Sequence, residues 1–219
     1  MARLRASRVA VFGLGGVGGY IAEALARAGV GSLLLIDGDE VAPSNLNRQI
    51  FATAATVGMR KTDAAARRIA EIAPDCEIEV RDLFYLPETA DGIPLAGLSY
   101  VADAVDTVTA KLTVIERARD AGVPVISCMG TGNKLHPELF RIAPIEKTEG
   151  CPLARVMRRE LRARGIRGVP VLFSPETPHT PGIASDGARR IGPASVSFVP
   201  GAAGLLIAGH IVREIAGVG

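Results

Sequence analysis

The sequence predicts an α/β fold, a mostly parallel sheet with helices on both faces, and three observations predict it. Apolar runs too short for helices recur at 8–13, 33–36, 100–105 and 123–128. Stretches of helical spacing alternate with them at about 17–28, 61–72 and 110–121. The first run leads straight into a glycine turn, Gly13-Leu-Gly15-Gly16-Val-Gly18, which opens the first helix. Strands that alternate with helices in this way pair in parallel, through right-handed crossovers.

Taken in order, Met1 to Arg8 is basic, but a strand and a glycine turn follow it, not the apolar core of a signal peptide. The helix after the glycines is closed by Gly29, and the strand 33–36 ends on Asp37. This is the setting of a Rossmann-like phosphate turn. Glycines let the backbone approach a phosphate, the helix start offers free N–H groups, and Asp37 can accept from a ribose hydroxyl. After Lys61, Ala65, Ile69 and Ile72 line one helix face, and Pro74-Asp75 ends it. Residues 76–81 alternate, which suits a strand nearer the sheet edge, and 86–97 reads as loop. A buried helix is expected from about 202 to 215. The apolar tail around it just reaches the lower limit of about 17 residues for a membrane span. Pro200, His210 and several small residues argue against that reading.

The 219 residues fit one domain, 1–219, with no repeat or low-complexity linker. Apolar residues make up 48% and aromatics only 4%, with no Trp, so Val, Ile, Leu and Ala must build the core. A net charge of +2 identifies no partner. Cys76, Cys128 and Cys151 are too widely spaced for a disulfide framework or a zinc site, which favours the cytoplasm. His136, His179 and His210 are too scattered for a metal set or a catalytic triad.

The continuation past Asp37 narrows the chemistry. Asp37-Gly-Asp39 is followed by Asn45-Leu-Asn47-Arg48-Gln49 and then Gly58-Met-Arg60-Lys61. A nicotinamide oxidoreductase has little use for these cations, whereas a nucleoside triphosphate needs them. Arg48 can grip phosphate as a fork and Lys61 as a point charge. Further on, Asp103-Ala-Val-Asp106 stands at a strand end. These carboxylates either cap the next helix or serve a cation.

Together these motifs resemble the adenylating enzymes related to ubiquitin-activating enzyme, whose bacterial members include the thiamine and molybdopterin sulfur-carrier adenylyltransferases. The resemblance implies that Gly13, Gly15, Gly16, Gly18, Asp37, Asp39, Asn45, Arg48, Gln49 and Lys61 bind ATP. It implies that Asp37 holds the ribose and that Asp106 takes Mg2+. It also makes Arg48, Lys61 and Asp106 the catalytic set. Many such enzymes carry a helical segment before the first strand, with an arginine that reaches the partner subunit's ATP. Here Arg3, Arg5 or Arg8 would have to substitute.

The second half carries two further features. Met129-Gly130-Thr-Gly132-Asn-Lys134 lies just past a strand end and is either a plain glycine turn or a wall of an acyl-acceptor site. Between Cys151 and Arg167 there are six arginines and one glutamate. Arg155, Arg158, Arg159 and Arg162 share a helix face opposite Leu153, Val156, Met157 and Leu161. Such a stripe is either solvated, or paired with a partner's acids, or a footprint for a polyanion. With few aromatics to stack on bases, it suits backbone and shape recognition.

Within the adenylating family, this half resembles the tRNA threonylcarbamoyladenosine dehydratases. The matching residues are Thr131-Gly-Asn-Lys134, Lys147-Thr148, Cys151-Pro-Leu-Ala-Arg155, Arg158, Phe173-Ser174, Glu176 and 192–200. The resemblance implies ATP-dependent cyclisation of threonylcarbamoyladenosine in tRNA through an acyl-adenylate, with no enzyme nucleophile. Cys128 is then a core residue and Cys151 a helix-start residue. The four arginines would meet the tRNA, about 1–128 would serve ATP, and about 129–219 would serve the acceptor and tRNA. A homodimer is implied, and a sulfur-transfer partner is compatible. The alternatives are an adenylyltransferase for a ubiquitin-like sulfur carrier, whose paired Cys-x-x-Cys zinc ligands are missing here, and a non-catalytic nucleotide-binding module.

Overall fold

The computed structural model describes residues 1–179 and 194–218. The polar turn expected at 186–190, and Gly192 and Pro193 of the last motif, lie outside the described residues. The elements are α1 (Ala2–Arg5), β1 (Arg8–Phe12), α2 (Gly18–Arg27), β2 (Ser32–Ile36), α3 (Lys61–Ile72), β3 (Glu77–Arg81), β4 (Tyr100–Asp103), α4 (Val108–Asp120) and β5 (Val125–Cys128). They continue with β6 (Arg141–Pro144), α5 (Pro152–Ala163), β7 (Pro170–Phe173) and α6 (Phe198–Ala216). Seven strands form one sheet in the order β3-β2-β1-β4-β5-β7-β6. Among the described residues of this sheet, only the β6–β7 pair is antiparallel.

Strand side chains alternate between two cores, one on each face. Val9, Val11, Leu33 and Leu35 face Ile21, Leu25, Ile69 and Ile207 on α2, α3 and α6. Ala10, Phe12, Leu34 and Ile36 face Val114, Ile115, Met157 and Leu161 on α4 and α5. The chain reverses its direction of travel across the sheet between β1 and β4, and there the carboxyl ends of the strands leave a crevice. α6 is long and apolar enough to cross a membrane by length and composition, yet Val199, Ala203, Ile207 and Ile211 are fully buried on the sheet.

Two strands are shorter than expected, for local reasons. Past Asp103 the chain bends back to β1, with the Ala104 N–H donating to the Phe12 carbonyl at 2.8 Å. Val123 closes α4 by donating to Ala118 at 2.8 Å, and Pro124 has no N–H to extend the strand. The short strands β6 and β7 and the four-residue α1 were not anticipated; each is too brief to show a period, and both strands carry a proline. Neither aspartate caps α4, whose N-cap is Thr107 with no side-chain bond.

Asp103 instead belongs to a buried polar network beneath the crevice. Its Oδ2 receives the Ser127 hydroxyl and lies 3.2 Å from the Lys111 Nζ. Its Oδ1 accepts the Val105 N–H at 3.2 Å, which fixes the turn that carries Asp106. Lys111 is 1% exposed and Asp103 fully buried, so each charge depends on the other. Removing one partner of such a pair costs about 3–5 kcal/mol, while removing both together is far milder. Lys111→Met should therefore lower stability by about that amount in urea unfolding, and Asp103→Asn combined with Lys111→Met should recover most of it. A double variant no better than the single one would show that the pair is not the source.

Candidate functional site

A cavity of about 870 Å³ opens at the crevice, between the glycine turn and the loops that follow β2, β4 and β5. The four glycines play different parts there. Gly13 has φ +83°, and a Cβ on it would meet the Ala104 carbonyl at 2.8 Å. A Cβ on Gly18 would lie 1.7 Å from the Gly13 oxygen. Both are glycine because backbone packs on backbone. Gly15 and Gly16 have the looser surroundings and line the cavity. No side chain caps the start of α2, so its dipole end is left for a ligand.

Asp37 locks this turn from the neighbouring strand. Its Oδ2 accepts the Leu14 N–H at 2.6 Å and its Oδ1 the Asp39 N–H at 2.8 Å. The Lys61 Nζ, at the start of α3, lies 2.7 Å from Asp39 and 3.6 Å from Asp37. Lys61 is thus a buried ammonium aimed at the cavity and held by two carboxylates. Asn45 accepts the Ala42 N–H through Oδ1, which spends that oxygen on its own turn (Pro43–Asn45) and leaves the amide nitrogen. Arg48 is half-buried and anchored through Nη1 to the Ser44 carbonyl and Asn47 Oδ1, so the rest of its guanidinium stays available. Gln49 is buried and lines the same wall. Asp106 also lines the cavity, exposed and in no ion pair among the described residues. The structure therefore gathers Gly13, Gly15, Gly16, Asp37, Asp39, Asn45, Arg48, Gln49, Lys61 and Asp106 around one space, and leaves Gly18 behind it.

The other wall comes from the second half. Residues 128–134, the start of α5 at Pro152 and Leu153, and Pro200 of α6 all line it. Asn133 takes a left-handed φ of 58°, and its carbonyl, N–H and side chain bond to His179 and Ala194. Lys134 is buried, with Nζ 2.8 Å from the Ser174 carbonyl. Burial pushes the Cys128 thiol up to about 12, so it stays protonated and is a poor nucleophile. Cys151, also buried, starts α5 as its N-cap residue.

Sequence reasoning missed Lys111, Ser127 and the loop 83–86. Lys111 was legible as a lysine on the face of α4 shared with Val114, Ile115 and Ala118. The loop had no pattern to betray it. Its Phe84 packs on the Asp37-Gly38 turn, where a Cβ on Gly38 would meet the Phe84 nitrogen at 2.8 Å.

The arginine stripe is narrower than the helical wheel predicts. Arg155, Arg159 and Arg162 are exposed, but Arg158 turns inward and donates through Nη1 to the Thr148 carbonyl at 2.6 Å and its hydroxyl at 2.8 Å. Arg158 leaves the stripe because it satisfies a loop carbonyl beside the helix. Glu160 lies between Arg159 and Arg164, whose hydrogen bonds hold its carboxyl below the usual range. Arg3 donates to the Ala216 carbonyl and Arg8 pairs with Glu79, both outside this cavity.

Comparison with known proteins converges on one family. The sequence profile of the ThiF family matches residues 1–219. A tRNA threonylcarbamoyladenosine dehydratase of Bacillus subtilis is 43% identical, over 97% of this chain and 88% of its own. The one of Escherichia coli is 37% identical over 78% of this chain and 66% of its own. The crystal structure of an E. coli tRNA N6-threonylcarbamoyladenosine dehydratase in complex with AMP superposes with a TM-score of 0.90 at 32% identity, covering 99% of this chain and 88% of that one. A complex of the same enzyme with ATP gives 0.89 at 32%, covering 98% of this chain and 87% of that one. This chain belongs to the ThiF family and, within it, to the tRNA threonylcarbamoyladenosine dehydratases.

Proposed function

We propose that this protein uses ATP to cyclise the threonylcarbamoyl side chain of a modified adenosine in tRNA, with net loss of one water. The observation that carries the reading is the gathering of Asp37, Arg48, Lys61 and Asp106 at the switch point, in a chain that matches a tRNA threonylcarbamoyladenosine dehydratase along 97% of its length. The threonyl carboxylate attacks the α-phosphorus of ATP, the bond to the bridging oxygen breaks, and pyrophosphate leaves. The carbamoyl nitrogen then attacks the activated carbonyl and loses its proton as AMP departs. Both groups sit in one substrate, so proximity supplies much of the second step.

The residues divide this work. Asp37 receives the ribose hydroxyls, Gly15, Gly16 and the start of α2 receive phosphate oxygens, and Arg48 and Lys61 offset charge on the leaving pyrophosphate. The residues fit a magnesium ion, because Asp106 is a carboxylate at the cavity with no ion pair among the described residues. No group of three or more His, Cys, Asp or Glu among the described residues forms a protein-only site, as suits a cation that keeps phosphate oxygens and waters. When bound, Mg2+ would neutralise developing phosphate charge. Residues of about 1–128 serve ATP, and those of about 129–219 serve the acceptor and the tRNA. Arg155, Arg159 and Arg162 meet the tRNA backbone beside the cavity mouth at Pro152. Exposed Phe198, Leu205 and Leu206 on α6 support pairing of two copies.

The defining assay measures pyrophosphate release from Mg-ATP with tRNA that bears threonylcarbamoyladenosine and with tRNA that lacks it. Release with the modified tRNA only, and a nucleoside lighter by one water in mass spectrometry, are expected. ATP turnover without the mass loss would move the substrate to a carrier protein. Arg48→Ala and Lys61→Ala should each cut the rate by about 100-fold or more. Unchanged rates would remove those cations from catalysis. Replacing Arg155, Arg159 and Arg162 together by Ala should flatten the dependence of log affinity on log salt by about two units, at about 0.7–0.9 per lost phosphate contact. An unchanged slope would place the tRNA elsewhere.

A further inference from the structure

Three lysines are buried among the described residues, and they differ in what faces their charge. Lys61 has Asp39 at 2.7 Å, and Lys111 has Asp103 at 3.2 Å. Lys134, 3% exposed, has only the Ser174 carbonyl, and no carboxylate of the described residues pairs with it. Among the described residues, the carboxylate that bears on it, Glu176, is already committed. The two oxygens of Glu176 accept the Leu135 N–H at 2.8 Å and the His136 N–H at 3.1 Å, and His179 lies 3.4 Å away. The neighbouring Cys128 thiol stays protonated and supplies no countercharge.

An ammonium taken out of water without a partner is costly, and the cost falls when a ligand brings the missing charge. Lys134 lines the cavity. It stands on the wall made by residues 128–134 and the start of α5, not on the wall of Asp37, Arg48 and Lys61. Burial draws its ammonium below the ordinary range, and the neighbouring Cys151 and Glu176 oppose that shift without cancelling it. One of its three N–H groups is spent on Ser174, so two remain for a ligand.

We infer that Lys134 is the anchor for the carboxylate that becomes adenylated. This rests on the proposed function and names the group that orients its acyl substrate. One carboxylate oxygen accepts from the ammonium, and the other is left facing the α-phosphorus. After pyrophosphate leaves, the anchored oxygen is the carbonyl oxygen of the mixed anhydride. It gains negative charge as the carbamoyl nitrogen adds to the carbonyl carbon, and loses it when the bond to AMP breaks. Lys134 therefore serves both half-reactions, while Arg48 and Lys61 serve the phosphates alone.

The test compares wild type with Lys134→Met, Lys134→Gln and Lys134→Arg. Two quantities are read: equilibrium binding of ATP without tRNA, and pyrophosphate release as a function of the concentration of threonylcarbamoyl-bearing tRNA. Lys134→Met should raise KM for that tRNA, or lower kcat/KM, by about tenfold or more, the value of a hydrogen bond to a charged group. Its ATP affinity should stay within about twofold of wild type, and Lys134→Arg should restore part of the loss. Gln keeps a donor for Ser174, so a loss in both Met and Gln traces to the charge and not to the loop. Loss of ATP affinity matching that of Lys61→Ala would overturn the inference and give Lys134 to the phosphates. An unchanged kcat/KM would overturn it as well. Failure of the underlying function looks different, because the wild type itself would then be silent with the modified tRNA.

Discussion

The contact between the start of α2 and the turn above β1 is the constraint on which the site depends. With only 1.7 Å between a Cβ at Gly18 and the Gly13 oxygen, nothing larger than hydrogen fits between helix and strand. The helix start is thereby drawn under the turn, beside the crevice, with no side-chain cap on its N-cap residue Val17. Gly13 in turn rests on the Ala104 carbonyl, so β4 bears on the same point. Two carboxylates complete the clamp, Asp37 from β2 on Leu14 and Asp103 from β4 on Val105. Three adjacent strands are thus tied together at their carboxyl ends. A site whose task is to stabilise phosphate charge gains from such rigidity, because donors already in place need no reorganisation as charge develops.

The clamp explains why charged groups can be buried here. Lys111 and Asp103 neutralise each other below the crevice and never meet a ligand. Lys61 is also buried, though less deeply, and lies beside Asp39, which is half exposed at the rim. A triphosphate arriving at that rim meets an ammonium that is already oriented by protein carboxylates. In the proposed role such an arrangement would trade some affinity for position, because a phosphate would share the lysine with Asp39.

Much of this was legible in the sequence, for definite reasons. β1, β2, α2 and α3 are set by local patterns, apolar runs and an amphipathic period, and their bounds agree with expectation within a residue or two. The α/β class and the edge position of β3 follow from the same patterns. Other features depend on what the chain meets in space. Arg158 belongs to the stripe by spacing alone, yet a carbonyl at Thr148, on a loop the wheel does not contain, turns it inward. The glycines read as one phosphate motif, but two of them are needed for backbone packing within the fold. The antiparallel β6 pairs with β7 across the intervening helix α5, a pairing no local period encodes.

The proposed chemistry has no need of a nucleophile from the two cysteines at the cavity. A covalent step helps when an acyl group must be carried from one site to another. Here the attacking nitrogen and the activated carbonyl belong to one side chain a few bonds apart, so a thioester would add a transfer without shortening any distance. Burial agrees with that logic. A thiol pushed up to about 12 at Cys128 remains a small apolar group against the sheet. Among the described residues 128–134 and 151–153 that line this wall, Lys134 is the one that carries a formal charge. For a mixed anhydride, water is the competing nucleophile. Because the carbamoyl nitrogen is carried on the same side chain, it reaches the activated carbonyl without a second encounter, which favours ring closure over hydrolysis.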